Sequence, residues 1–326
     1  MEQRRLGRSG ILVSRLGLGT STWGFGTASD DAEQQLRAFV AAGGTLVDTA
    51  NIYGAGRAER VLGELMGKVV AREDIVLATK GAVVPGRPPF VVDCTRAGIL
   101  TQIDNSLRSL NTDYVDLYQL HRWDPNTPAE ETMSALDEIL ASGRARAVGI
   151  CNYAGWQTAL CGQLQRDKGT GPLATTQVEY SLVERRVERE VMPAARELDI
   201  GVLPWAPLGR GVLTAKYRNG VPKERLGSNF FKQYVGQHLY ATHTDNIVSV
   251  VAACAEQLGV TPAVVAISWV RDRPQVVAPL VGARTVEQLM ESLESEVITL
   301  PVELAEQLDK VSAVRLGYPE RFGPTE

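Results

Sequence analysis

The chain has 326 residues, of which 44% are hydrophobic and 22% are charged, and its net charge is −4. These values are typical of a soluble globular protein, and the acidic balance disfavours nucleic acid as a partner. No apolar run approaches the roughly 20 residues of a membrane-spanning helix, and no apolar stretch of a signal peptide follows the first basic residues. We therefore expect a cytoplasmic protein without membrane contact, whose four scattered cysteines are free thiols in a reducing compartment.

Eight short apolar runs, each a candidate strand, alternate with amphipathic stretches along the chain. The runs lie at 14–20, 45–50, 75–81, 115–121, 146–152, 175–181, 200–207 and 276–282. Each is nearly continuously hydrophobic, as expected for parallel strands that helices cover on both faces. Eight helical patterns separate and follow them, without a Pro-, Gly- or Ser-rich linker. The pattern predicts one (β/α)8 TIM-barrel domain over residues 1–326, with long βα loops at its C-terminal face.

A doubly wound open sheet is the alternative fold. It would require a phosphate-binding G-x-G-x-x-G motif after the first strand. Gly17 and Gly19 begin such a pattern, but Thr22 stands where the third glycine should be. The stretch GAGRAE at 54–59 also lacks the motif, so the barrel is favoured.

Polar and aromatic side chains interrupt the apolar runs at the ends of the predicted strands. In a barrel, functional side chains cluster where the C-terminal ends of the strands meet. Tyr53 lies in the loop after the second predicted strand. The residues at six strand ends are Asp48, Lys80, His121, Asn152, Gln177 and Trp205. This pattern is typical of the rim of an active site.

Four of these residues form a set suited to proton transfer. A phenol has an ordinary pKa of about 10. A Lys80 ammonium about 4 Å from Tyr53 would favour the phenolate by roughly 4 kcal/mol, as an upper limit at an effective dielectric constant of about 20. Asp48 would keep the lysine charged, and His121 would hydrogen-bond a carbonyl oxygen. Together they would protonate that oxygen while a hydride reaches the carbonyl carbon.

Each residue alone has a simpler interpretation. Asp48 could cap the following loop, Lys80 could be a surface cation, and His121 could be a hydrogen-bonded histidine at a strand end. Their occurrence at successive strand ends favours the catalytic interpretation. His238 and His243 lie five residues apart in a polar stretch without cysteines, so no metal site is expected.

Several stretches resemble the signatures of the aldo-keto reductase family. In chain order they are DTANIYGAGRAERVLG, ATKG, YVDLYQLHRWDPNTPAEET, VGICNY, WAPLGRGVLTAKY and VGARTVEQLMES. The similarity covers essentially the whole chain and is greatest to the branch that includes the potassium-channel β-subunits and their bacterial relatives. It implies a (β/α)8 barrel that binds NADP(H) across its mouth without a Rossmann motif. It also implies that Tyr53 is the proton donor, supported by Asp48 and Lys80, and that His121 orients the substrate.

The same resemblance implies a set of cofactor-binding residues. Asn152 and Gln177 would bind the nicotinamide carboxamide, and Trp205 would stack on the ring. A loop would close over the pyrophosphate, and a helix start would face the adenosine 2′-phosphate. The full predicted set is Thr20, Trp23, Cys151, Asn152, Gln177, Trp205, Pro207, Leu208, Gly209, Lys216, Arg225, Gly282, Arg284, Gln288, Glu291 and Ser292.

The chain departs from the family pattern at two cofactor positions. Cys151 stands before Asn152 where the family often has serine, and a thiol is a weaker hydrogen-bond donor. Ser292 stands where the last helix usually supplies an asparagine to the adenine. These two substitutions weaken one contact each and leave the case for cofactor binding intact.

The substrate is a small-molecule carbonyl compound whose identity the sequence leaves open. The predicted pocket wall includes Trp23, Phe25, Arg122 and Trp123. The segment 218–243 adds aromatic residues at Phe230, Phe231, Tyr234 and Tyr240, which favours a sizeable or partly apolar substrate.

We therefore expect an NADPH-dependent reductase of aldehydes or ketones. One alternative is a regulatory β-subunit-like protein that binds NADP(H) as a sensor, although a pure sensor has no need of all four catalytic side chains. A barrel isomerase or aldolase with Lys80 as a Schiff base is disfavoured, because Asp48 would keep the lysine protonated. A homo-oligomer is compatible with the sequence.

Overall fold

Eight parallel strands surround the centre of the fold in a computed structural model, which describes residues 1–86, 91–168, 171–217, 220–221, 235–315, 317–318 and 320–322. A hairpin opens the chain, with β1 at Gln3–Arg5 and β2 at Leu12–Ser14. The parallel strands are β3 Gly17–Gly19, β4 Leu46–Asp48, β5 Val76–Gly81, β6 Val115–Leu120, β7 Ala145–Cys151, β8 Leu173–Glu179, β9 Gly201–Trp205 and β10 Leu280–Val281.

The strands follow one another around the barrel in the order β10-β3-β4-β5-β6-β7-β8-β9. Every ladder between neighbours is parallel. A parallel bridge between Val202 and Val276 joins β9 to the chain just ahead of β10 and brings the two ends of the sheet together. The predicted (β/α)8 barrel is therefore confirmed.

Helices cover the outside of the barrel. They are α1 Ser29–Ala41, α2 Arg57–Leu65, α3 Arg96–Leu110, α4 Ala129–Ala141, α5 Gly155–Lys168, α6 Val191–Glu197, α7 Gly236–Leu239, α8 Thr244–Leu258, α9 Pro262–Arg271, α10 Val286–Leu293 and α11 Val302–Val311. In the described part of the chain, no single helix is long and apolar enough to span a membrane. Among the described helices, one pair, α8 and α9, reaches that length and composition when taken together, across a bend of 100°.

Helices α7, α9 and α11 and the β1–β2 hairpin were not predicted from the sequence. Helix α9 escapes detection because every residue from Ala263 to Arg271 is buried, so it lacks the apolar and polar faces that reveal a helix in sequence. Helix α11 and the β1–β2 hairpin were also missed, and each strand of the hairpin has only three residues. The hairpin brings Leu6 and Val13 into one cluster with the apolar residues inside the barrel, which closes its lower end.

The interior of the barrel changes from apolar to polar along each strand. Leu46, Ala78 and Leu117 belong to the apolar cluster inside β4, β5 and β6. Because alternate residues of a strand face the same side, the residues two positions later also point inward. In β4 and β5 these are Asp48 and Lys80, both almost completely buried. The same alternation therefore produces an apolar floor and a polar site above it.

The core outside the barrel gives a test of the fold. Leu36 in α1 is fully buried, whereas Leu12 in the hairpin is 54% exposed. Leu36→Ala should lower the free energy of unfolding by about 2–5 kcal/mol, because it leaves a cavity under the helix. The control Leu12→Ala should change it by less than about 0.5 kcal/mol. Urea denaturation of both variants measures the difference, and equal losses would contradict this packing.

Candidate active site

The Lys80 side chain is the centre of a buried hydrogen-bonded cluster at the C-terminal ends of the strands. It is fully buried, and its Nζ donates a short hydrogen bond to Asp48 Oδ1. The same Nζ donates to the backbone oxygen of Thr49 at 2.9 Å and to the Tyr53 hydroxyl at 3.1 Å. An ammonium group has three hydrogens to donate. Each therefore has an acceptor, and the lysine is held in one position.

Two amide side chains hold the Asp48 carboxylate from the other side. Gln177 Nε2 donates to Asp48 Oδ2 at 3.0 Å, and Gln119 Nε2 lies 3.5 Å from the same oxygen. Thr175 Oγ1 in turn donates to Gln119 Oε1 at 3.1 Å. Gln119 was missed in the sequence analysis. The signal was available, because Gln119 lies midway between the inward-facing Leu117 and the predicted His121.

Charge and burial act in opposite directions on this cluster. Burial lowers the pKa of Lys80, but the neighbouring Asp48 and Tyr53 raise it, and the net pKa lies above the ordinary value. The lysine therefore keeps its proton. Burial also raises the pKa of Asp48, an effect that the Lys80 charge and hydrogen bond oppose. The pair is thus arranged for an ammonium beside a carboxylate.

The acidity of Tyr53 differs from the expectation. Burial raises the pKa of its phenol, and the Lys80 ammonium lowers it, but burial dominates and the net pKa is above 10. The predicted lowering by Lys80 is thus outweighed by the loss of hydration. The Tyr53 hydroxyl consequently remains protonated at neutral pH.

A turn with unusual backbone angles follows Tyr53. Gly54, Ala55 and Gly56 all have positive φ, at 57°, 56° and 83°. Only glycine adopts this region freely, and for Ala55 the left-handed conformation costs about 1–2 kcal/mol. Helix α2 begins at the next residue. The short turn carries the chain from the phenol directly into the outer helical layer.

The His121 ring lies beside the Tyr53 phenol. The ring centroids of Tyr53 and His121 are 5.9 Å apart, with the planes at 84°. Burial lowers the pKa of His121 well below its ordinary value, and the charges of Lys80 and Arg122 lower it further, so the imidazole is neutral. Its buried Nδ1 has no hydrogen-bond partner among the residues described. Because a buried N–H without an acceptor is costly, the tautomer with the proton on Nε2 is favoured.

Asn152 links the catalytic cluster to Trp205. Its Nδ2 donates to the backbone oxygen of His121 at 3.0 Å and to Cys151 Sγ at 3.1 Å. Its Oδ1 accepts from Trp205 Nε1 at 3.0 Å. Gln177, which is 1% exposed, is engaged with Asp48 and lies 3.8 Å from Cys151 Sγ through its Oε1. The predicted contacts of these side chains with a nicotinamide stay predictions.

A cleft of about 460 Å³ opens beside Trp205. Arg210, which was not among the predicted site residues, stacks over the Trp205 ring at 4.8 Å and donates to Glu179 at 3.3 Å. His238 also contacts Glu179, at 3.0 Å. The lining residues are Arg122, Trp123, Asn152, Gln157, Glu179, Trp205, Arg210 and Gln237. The cleft thus carries cations and aromatic faces on the same walls.

The remaining predicted cofactor residues occupy two segments and one buried position. The first segment, shortly after Trp205, contains Pro207, Leu208, Gly209 and the exposed Lys216. The second lies around the start of α10, where Gly282, Arg284 and Gln288 are exposed and Gln288 Oε1 accepts from the Arg284 backbone N–H at 3.0 Å. Glu291 is half-buried, and Ser292 is buried with its hydroxyl donating to the Gln288 backbone oxygen. Thr20 is buried and donates to the Asp48 backbone oxygen. Arg225 lies outside the described residues.

Trp23 was predicted for both the cofactor site and the substrate pocket. It is fully buried, and its Nε1 donates to Gln35 of α1 at 3.1 Å. Its side chain is not among those that line the cleft beside Trp205, and its contacts with cofactor and substrate stay predictions. Phe25 is 60% exposed.

On the other predicted wall, Arg122 and Trp123 do line the cleft, and Trp123 contacts the rings of Tyr153 and Trp156 edge-on. Tyr240 is exposed. The other aromatic residues predicted for the pocket, Phe230, Phe231 and Tyr234, lie outside the described residues. Among the residues that the structure does describe, no group of three or more His, Cys, Asp or Glu side chains is placed to hold a metal ion.

Comparison with known proteins places this geometry in a family. The sequence model of the Aldo/keto reductase family matches residues 15–313. The chain is 35% identical to Uncharacterized oxidoreductase YrpG of Bacillus subtilis, over 95% of this chain and 96% of that protein. It is 33% identical to Aldo-keto reductase YhdN of the same organism, over 89% and 87%. It is also 33% identical to a Probable voltage-gated potassium channel subunit beta of Oryza sativa subsp. japonica, over 98% of each chain.

The fold and the site define a barrel protein with a buried, charged and hydrogen-bonded cluster at its mouth. The chain belongs to the aldo/keto reductase family, which confirms the resemblance seen in its motifs. It is accordingly an oxidoreductase of that family.

The thiols give a test of the burial around this site. All four cysteines are free and buried, and burial raises the pKa of Cys94, Cys151 and Cys161 to about 12. The thiolate is the reactive form, so labelling of the native protein should be negligible at pH 8 and should rise only as the pH approaches 12. In denaturant at pH 8, all four thiols should react. Fast labelling of Cys151 in the native protein at pH 8 would contradict the burial of the cluster.

Proposed function

We propose that this protein is an NADPH-dependent reductase that converts an aldehyde or ketone to an alcohol, with Tyr53 as the proton donor. One observation supports this above the others: a single ammonium group, Lys80 Nζ, contacts both the Asp48 carboxylate and the Tyr53 hydroxyl at the barrel mouth. A structural tyrosine has no need of a buried ion pair behind its hydroxyl. A proton donor has such a need, because the negative charge that develops on its oxygen must be stabilised.

The residues around the cleft fit a nicotinamide dinucleotide phosphate. Trp205 offers an aromatic face. Asn152 Oδ1 accepts from the Trp205 indole, and its second lone pair can accept a hydrogen bond from the carboxamide N–H group. Arg210 and the exposed Arg284 supply positive charge suited to phosphate groups. Thr285 caps the start of α10 beside Arg284, so the helix N-terminus adds a favourable partial charge. When bound, the reduced cofactor would supply the hydride for the carbonyl carbon.

The side chains of the cluster divide the remaining work. His121, as the neutral Nε2–H tautomer, donates a hydrogen bond to the carbonyl oxygen and directs it toward Tyr53. Tyr53 transfers its proton to that oxygen, and the Lys80 ammonium stabilises the phenolate that remains. Asp48 keeps Lys80 charged and in place throughout, because two glutamine amides fix its second oxygen.

The raised pKa of Tyr53 sets the protonation state in which the phenol rests. A phenol whose pKa is raised above its ordinary value is protonated at neutral pH, so the donor needed for carbonyl reduction is fully present. Alcohol oxidation needs the phenolate, whose population increases only as the pH rises toward that pKa. The rate of alcohol oxidation should therefore rise with pH above neutrality, whereas the rate of reduction does not depend on deprotonation of Tyr53.

A regulatory cofactor-binding subunit is a second candidate. It is favoured by the rice relative, which is named as a potassium channel subunit beta. Such a protein would bind NADPH and oxidise it slowly whatever carbonyl compound is supplied. Measuring NADPH oxidation against a diverse panel of aldehydes and ketones distinguishes the two candidates, because a reductase shows fast turnover with at least one of them.

Removal of one oxygen atom tests the role of Tyr53. Tyr53→Phe keeps the ring and leaves the cofactor contacts in place, so NADPH should still bind, as followed by quenching of tryptophan fluorescence. Carbonyl reduction should fall by about 10²–10⁴-fold, the range associated with general acid catalysis. The control is Tyr318→Phe, the same change at a tyrosine that is 76% exposed and belongs to no predicted site, which should leave the rate unchanged. A normal rate in the Tyr53 variant would show that the proton comes from elsewhere.

Arg284 tests the choice between the two nicotinamide cofactors. Arg284→Ala should weaken NADPH binding by about tenfold or more and leave NADH binding nearly unchanged, because a charged hydrogen bond to phosphate contributes about 1.5–3 kcal/mol. Arg108→Ala makes the same charge change in the last turn of α3, which faces the lower end of the barrel, and should affect neither cofactor. Equal affinities of the unmodified protein for NADPH and NADH would contradict the assignment.

A further inference from the structure

A buried carboxyl group lies behind the catalytic lysine, between the barrel and the helical layer. Glu59 belongs to the first turn of α2 and is 2% exposed. Thr79, the neighbour of Lys80 in β5, is fully buried, and its Oγ1 donates a hydrogen bond of 2.7 Å to Glu59 Oε1. Because neighbouring residues of a strand point to opposite sides, Thr79 faces the helices where Lys80 faces the site. Glu59 therefore contacts the catalytic strand from outside.

The glutamate does not have the role that its position in the helix would suggest. The N-cap of α2 is Gly56, so Glu59 is the third residue of the helix, where glutamate commonly reaches back to the N-cap backbone N–H. Its Oε1 instead accepts from a strand residue 20 positions further along the chain. Burial raises the pKa of Glu59, and the Thr79 hydrogen bond opposes that shift. The hydrogen bond thus offsets part of the cost of burying the carboxyl group.

Two hydrogen bonds join the segment from Tyr53 to Glu59 to strand β5, one on each side of the strand. Outside the barrel, Thr79 bonds to Glu59; inside, the adjacent Lys80 bonds to Tyr53. Glu59 follows Tyr53 by only six positions, and the turn between them contains Ala55 in the left-handed conformation. Strand β5 is hydrogen-bonded to both of its neighbours and is therefore a fixed platform. The outer hydrogen bond ties the far end of the tyrosine turn to that platform.

We propose that Glu59 and Thr79 are positioning residues that set the distance between the Tyr53 phenol and the Lys80 ammonium, and through it the rate of proton transfer. They act without contacting substrate or cofactor. This inference rests on the proposed function, in which Tyr53 is the proton donor.

The first test compares two substitutions of Thr79. Thr79→Val removes the donated hydrogen bond and keeps the branched shape, whereas Thr79→Ser keeps the hydroxyl. In Thr79→Val, kcat for carbonyl reduction should fall by about 10- to 100-fold, as expected when a catalytic group moves by about 1 Å. The KM for the carbonyl substrate and the Kd for NADPH should stay within about twofold, because neither binding site is touched. Thr79→Ser should retain a nearly normal kcat.

A second pair of variants, at Glu59, tests the acceptor of this hydrogen bond. It gives an independent result if Thr79→Val does not fold. Glu59→Gln keeps an oxygen that can accept from Thr79 and should retain most of the activity. Glu59→Met removes the acceptor and should lower kcat as Thr79→Val does. Urea midpoints recorded on all four proteins separate folding from catalysis. A lowered midpoint with a normal kcat in either Thr79→Val or Glu59→Met would overturn the proposal, since a purely structural contact predicts that result.

A double variant distinguishes this inference from the proposed function. If Thr79 acts through Tyr53, adding Thr79→Val to Tyr53→Phe should lower the residual rate by less than about twofold, because residues that act as a unit are not additive. A further loss as large as in the unmodified background would overturn the positioning role. A low rate in Tyr53→Phe with a normal rate in Thr79→Val would overturn the positioning role alone. A normal rate in Tyr53→Phe would overturn the proposed function itself.

Discussion

The buried ammonium of Lys80 is the constraint on which the rest of the site depends. A charge removed from water is tolerated only when its hydrogen-bonding capacity is filled, and here three acceptors from a neighbouring strand and its following loop fill it. Those acceptors meet only if β4 and β5 are adjacent and parallel with their C-terminal ends aligned. The barrel provides that alignment. The charged cluster therefore depends on this fold, and the fold also holds the cluster in place.

The balance between burial and charge decides the chemistry of the phenol. Lys80 lies 3.1 Å from the Tyr53 hydroxyl and favours the phenolate, yet the loss of hydration outweighs it and the pKa rises. The ion pair with Asp48 contributes to this result, because the carboxylate behind the lysine raises the pKa of Tyr53. The site therefore keeps a protonated phenol beside the Lys80 ammonium, a charge that can stabilise the phenolate. The protonated phenol and the stabilising charge occur together because Tyr53, Lys80 and Asp48 are enclosed in one cluster.

The site is divided between rigid and less regular parts of the chain. Asp48, Lys80 and Gln177 belong to barrel strands, where the ladders fix the backbone on both sides. Tyr53 comes instead from a turn with three left-handed residues, and Arg210 comes from a turn that is itself left-handed. Such turns need external contacts to hold them. Glu59, in the helix that follows the first turn, accepts a hydrogen bond from Thr79 of β5, and Glu179 accepts one from Arg210 in the second turn.

The sequence by itself determined the class of fold and the ends of most strands, since continuous apolar runs alternating with amphipathic ones have few other solutions. It also placed Asp48, Tyr53, Lys80 and His121 together, because parallel strands in a barrel end on the same face. Helix α9 could not be predicted from the sequence, because a helix that is buried on all sides has no periodic pattern of apolar and polar residues.

Tertiary structure alone decided the contacts that depend on which elements become neighbours. The burial of Trp23 against Gln35 and the hydrogen bond between Glu59 and Thr79 each join side chains that are distant in sequence or that point away from the site. The sign of the Tyr53 pKa shift was decided in the same way. The order of the strands predicts that the Lys80 charge lies near Tyr53. The removal of water from the phenol depends on how completely the barrel and its helices enclose it, and that is decided only when the whole structure has packed.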